Sequence, residues 1–158
     1  MAEGSQQGKQ REPRDAGIPP CAVALVVCDA IWRDPGTGKR TILGCFSTIY
    51  AGRFPTVHPM LSVYAAVCDG HGKVPVSLRL IDVDEESPPL FELKGEATFA
   101  DPRDVLEFDF VAQDVPIPAP GEYRLQLRSA SHTLMERRIM VVRAGDGHGG
   151  GASHAAAG

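Results

Sequence analysis

No two of the four cysteines stand in a CxxC pair, so the spacing of a zinc ribbon or a thioredoxin-type dithiol is missing. No apolar run approaches the length of a membrane span. The opening stretch, MAEGSQQGKQREPRDAG, has none of the apolar h-region of a secretory signal. The expected compartment is therefore the cytoplasm, with Cys21, Cys28, Cys45 and Cys68 reduced. Positive charge is not in excess either: formal net charge is −4. Lys9, Arg11 and Arg14 cancel Glu3, Glu12 and Asp15, and Arg143 cancels Asp146, so the acidic excess falls on the middle of the chain. That argues against a nucleic-acid or anionic-membrane surface, where Lys and Arg supply most of the binding. No segment keeps a helical period with caps.

What the sequence has is alternation. Tyr123, Leu125 and Leu127 alternate with Glu122, Arg124, Gln126 and Arg128. A period of two sends the first set to a core and the second to water. The same reading holds for Leu106, Phe108 and Phe110, for Phe91, Leu93, Ala97 and Phe99, and for Val76, Leu78 and Leu80. CAVALVVC (21–28) and MLSVYAAVC (60–68) are apolar on both faces and read as central strands. RTILGCFSTIY (40–50) and TLMERRIMVV (133–142) complete a set of eight, separated by turn signals such as DPGTGK, DGHGK and ADPRD. The expected fold is all-β: an antiparallel β-sandwich of about eight strands, immunoglobulin-like, over residues 21–143. PAPGEYRLQL (118–127) adds to this, because a Pro-Gly turn leads into a strand carrying Tyr123, as in sandwiches where a tyrosine locks the corner. Leu125 stands where the antibody-type cysteine would be. Residues 1–20 are polar and 144–158 are Gly/Ala/His-rich, and both are expected to be disordered or flexible.

DPGTGKRT (34–41) superficially suggests a phosphate loop. A Walker A motif needs a glycine five positions before its Gly-Lys and a hydroxyl directly after the lysine. Here those positions hold Arg33 and Arg40, and β-branched residues follow where a helix should open. The segment is a turn.

From Cys28 to Val63 the chain carries Cys28-Asp29, the Gly38-Lys39 turn, Leu43, Gly44 and Phe46, and Phe54-Pro55. In this pattern it resembles a family of small uncharacterised bacterial proteins, a domain of unknown function. The resemblance implies a β-sandwich in a bacterial cytoplasm and assigns no activity.

Few residues suggest chemistry. Cys68-Asp69-Gly70-His71 offers three metal-ligand types within four residues, and Cys28 could approach His58. Buried cysteines also serve as small hydrophobes. If strands alternate direction, the turns holding Asp34, Asp69, and Asp101 with Asp104 share one end, where carboxylates could gather calcium. Asp is equally the common turn residue, because its side chain bonds its own backbone. Trp32, the single tryptophan, is a candidate anchor for a partner or a cap on the core. The expectation is a non-enzymatic interaction or structural module that self-associates or binds an unknown protein partner. It has no cofactor and binds neither nucleic acid nor membrane. The alternative is a calcium, zinc or small-ligand site on the loop rim built from Asp34, Asp69, His71, Asp101 and Asp104.

Overall fold

The computed structural model describes residues 18–83 and 87–145. The segments expected to be disordered or flexible, residues 1–20 and 144–158, lie outside them except for 18–20 and 144–145. Among the described residues nine strands follow in order: β1 (Cys21–Arg33), β2 (Arg40–Cys45), β3 (Thr48–Ala51), β4 (Thr56–Cys68), β5 (Gly72–Asp82), β6 (Phe91–Phe99), β7 (Leu106–Ile117), β8 (Gly121–Ser129) and β9 (His132–Arg143). They form two sheets, of order β2-β1-β4-β7 and β3-β9-β8-β5-β6. The all-β sandwich read from alternation is present, with one more strand than the approximate eight.

The additional strand comes from RTILGCFSTIY, which is two strands. The chain leaves β2 at Cys45, crosses through Phe46 and Ser47, and joins the other sheet as β3. There β3 runs parallel to β9, with Thr48 opposite Met140 and Ala51 opposite Arg143. The arrangement is therefore not wholly antiparallel. Gly44, at φ 65°, marks the departure, and a Cβ there would run into the Asp29 carboxylate.

The inward residues interlock as the period of two dictates. Leu61, Val63, Ala65 and Val67 from β4 meet Leu78 and Leu80 from β5 and Leu125 and Leu127 from β8, all essentially out of water. At about 25 cal/mol per Å² of apolar surface removed from water, this layer supplies most of the driving force for folding. Tyr123 does lock its corner: its hydroxyl donates to the Ala119 carbonyl at 2.7 Å.

β4 is central, as expected, but β1 is central for only part of its length. It pairs with β4 from Cys21 to Cys28 and with β2 from Cys28 to Arg33. Its first half is thus a sheet edge, and Val23 is exposed there. The opposite sheet covers that edge. Arg137 of β9 points inward and donates to the carbonyls of Leu25 and Phe46, each at 3.3 Å, while Phe46 N–H donates to Val27 O. The backbone polar groups of an edge need such partners when water is excluded.

Candidate functional site

Beyond Cys28 the β1–β2 hairpin is a two-stranded ribbon free of β4. One side chain pins it. Arg40, at the start of β2, donates to Glu107 Oε2 at 2.6 Å and to Asp109 Oδ1 at 2.5 Å. Both acceptors lie on β7, three strands along in the sheet order, so the ribbon must fold back over the outward side of β4 and β7. Tyr64 of β4 joins the cluster by donating to Glu107 Oε1 at 2.6 Å. Burial and this bond to a carboxylate push the Tyr64 phenol up to about 12. The cover explains why Cys28 and Ser62, which point away from the core, are buried. Burial also raises the Cys28 thiol above its ordinary value.

The ribbon's two faces differ. Arg40 lies on one of them. Trp32 and Leu43 share the other, since Trp32 pairs with Thr41 and Ala30 with Leu43. Trp32 is 52% exposed and Leu43 49%. Trp32 therefore does not cap the core. Met60 and Val111 also project outward from the first sheet and are exposed. The free side of β2, Thr41-Ile42-Leu43-Gly44-Cys45, carries no charge and no proline.

The acidic and imidazole candidates fare differently. Asp34 serves its own turn, accepting from the N–H groups of Gly36 at 2.8 Å and Thr37 at 2.7 Å, and these bonds lower its pKa. Asp101 accepts from Arg103, through side chain and backbone, which lowers its pKa too. Asp104 accepts from Asp101 N–H at 3.0 Å. Asp69 N–H donates to Pro102 O at 3.0 Å, which joins the β4–β5 turn to the turn holding Asp101 and Asp104. His71 instead lines a groove of about 460 Å³ with Ile18, Pro20, Lys73, Ser131 and His132. His58 stacks edge-on against Phe46. Among the described residues, one cluster places three metal-ligand atoms within 4.8 Å of one another, and it contains Asp69 with Cys21 and Cys68. Sequence reasoning missed Cys21 as a member, because only the strand register reveals that it faces Cys68.

Residues 23–142 match a protein family described as being of unknown function, DUF6941. The matched span runs from the third residue of β1 to the penultimate residue of β9. The chain belongs to this DUF6941 family. The family and the sandwich coincide, so the ribbon, Trp32 and Asp69 are all part of the DUF6941 domain, while Cys21 stands just before the match. No curated protein matches the chain. No helix among the described residues is long and apolar enough to cross a membrane.

Proposed function

We propose that this protein is a non-enzymatic interaction module working in the cytoplasm, whose contact surface is the β1–β2 ribbon. The observation that carries the reading is the unguarded β2 edge with Trp32 and Leu43 exposed beside it. Edge strands are normally blunted by charge, proline or shortness. The three other terminal strands follow that rule, and the free stretch of β1 is covered by Arg137 of β9. β7 carries Glu107, Asp109, Asp114 and Pro116, β6 carries Glu92, Lys94 and Glu96, and β3 is four residues long. β2 has none of these protections past Arg40. The non-enzymatic part draws support from Asp34, Asp101 and Asp104, whose carboxylates serve their own turns. The cytoplasmic part draws support from four unpaired thiols.

The occupant is a second copy of the chain. Two β2 edges pairing antiparallel about a two-fold axis are self-complementary, and the two exposed ribbon faces would meet over Trp32 and Leu43. Size-exclusion chromatography with light scattering tests this. The expected result is a dimer at high concentration, made monomeric by Leu43→Lys, which places a charge on the edge. A wild-type chain that stays monomeric, or a dimer indifferent to Leu43→Lys, would sink the reading.

A further inference from the structure

We propose that Cys21, Cys68 and Asp69 form a binding site for a thiophilic divalent cation, zinc above all, where β1 begins and β4 ends. Three features of the backbone build it. The register sets Cys21 directly opposite Cys68 on adjacent strands, so the two thiols project from the same side. Next, a strand would send Asp69 to the face opposite Cys68, but Asp69 sits at φ 58° and breaks the alternation. Its carboxylate therefore meets the thiol, and Cys68 Sγ donates to Asp69 Oδ2 at 3.1 Å. Finally, the fold holds this turn by itself. Asp69 N–H is bonded to Pro102 O, and Gly70 is buried so tightly under Phe99 that a Cβ there would collide with the ring.

Two sulfurs and a carboxylate oxygen are a zinc donor set, and tetrahedral zinc at about 2.3 Å from each sulfur needs them about 3.7 Å apart. The ligand atoms lie within 4.8 Å of one another, so a shift of about an ångström completes three corners, with water at the fourth. Hard cations such as calcium prefer oxygen sets and fit poorly. Without a cation the cluster would crowd negative charge. In its absence the Cys68 thiol donates its proton to the Asp69 carboxylate in a hydrogen bond. Cysteine binds zinc as thiolate, so the affinity of such a donor set rises with pH. The site is separate from the β2 edge, and either assignment can fail while the other stands.

The test uses the full chain with thiols kept reduced. Zn²⁺ is titrated in competition with a chromophoric chelator, and Co²⁺ in place of Zn²⁺ reports thiolate-to-metal charge transfer in the near ultraviolet. The expected result is one ion per chain, charge-transfer bands, and a Tm that rises with Zn²⁺. Cys21→Ser and Cys68→Ser lose the bands. Asp69→Asn weakens binding by at least about tenfold, since even outer partners of a metal site cost that much. Asn also tolerates the left-handed backbone, so this variant folds. Binding that survives the double cysteine variant belongs to other groups, such as His148 and His154, and overturns the proposal. So does an absence of bands, or a chain that joins Cys21 to Cys68 as a disulfide on air exposure with zinc giving no protection.

Discussion

The outward faces of the two sheets are built on opposite plans. On the second sheet, β5, β8 and β9 carry a lattice of polar side chains. Arg79 donates to Gln126 Oε1 at 2.8 Å, Gln126 donates to Glu136 at 2.7 Å, Arg124 pairs with Glu136 at 3.0 Å and Arg138 with Glu122 at 3.0 Å. Gln126 is buried within it. On the first sheet, one anchored ribbon covers part of the face and leaves Trp32, Leu43, Met60 and Val111 in water. A lattice of satisfied charges resists association, because a partner must strip water from every member. Exposed apolar side chains beside a free edge invite it. The two plans divide the molecule into a face of paired charges and a face with exposed apolar side chains, the one proposed above to receive a partner.

Mutations of graded effect break or sharpen this contrast. Leu127→Ala empties a position beneath the lattice and costs about 2–5 kcal/mol in urea unfolding, setting the scale for the shared core. Arg40→Ala, which frees the ribbon, costs about 1.5–3 kcal/mol because two charge-assisted bonds are lost together. It should also quicken the reaction of Cys28 with a thiol reagent. If Cys28 stays as protected as in the wild type, the ribbon is not what covers it. Gln126→Ala takes the Oε1 partner from Arg79 and one of two partners from Glu136, which keeps Arg124, for about 1–3 kcal/mol on the opposite face. Tyr64→Phe is subtler: it removes the bond to Glu107 at neutral pH, and the pH dependence of the loss identifies it. The folded Tyr64 phenol sits at about 12 against an ordinary 10. Its contribution is complete below pH 10 and is lost as pH rises through 12. Denaturant midpoints of the wild type should fall more steeply than those of Tyr64→Phe across that interval. Trp32→Ser is the smallest, within about 0.5 kcal/mol of wild-type stability, though it should weaken the dimer proposed above.

The layered core was readable because alternation is a local property: Tyr123, Leu125 and Leu127 face inward in the sequence and in the structure alike. The break inside RTILGCFSTIY was not, since both halves are apolar and β-branched and only Gly44 hinted at a change of course. That break also upset the counting of turns by alternate ends, which assumed that each strand hairpins onto the next. β1 looked central because its second face is apolar. The ribbon folding back over Cys28 satisfies that face, a tertiary event no window of sequence contains. The closeness of Cys21 and Cys68 depends on register between strands far apart in the chain, whereas the turn at Asp69-Gly70 that completes the cluster was legible from its residue types.

The parallel seam between Thr48–Ala51 and Met140–Arg143 bears on how the chain matures during its synthesis. A ribosome emits β3 long before β9, so β3 must wait exposed until almost the whole domain has emerged. Closure of the second layer is therefore a terminal event, and a chain truncated ahead of β9 would be released with β3 unpaired and the carbonyls of Leu25 and Phe46 without their arginine.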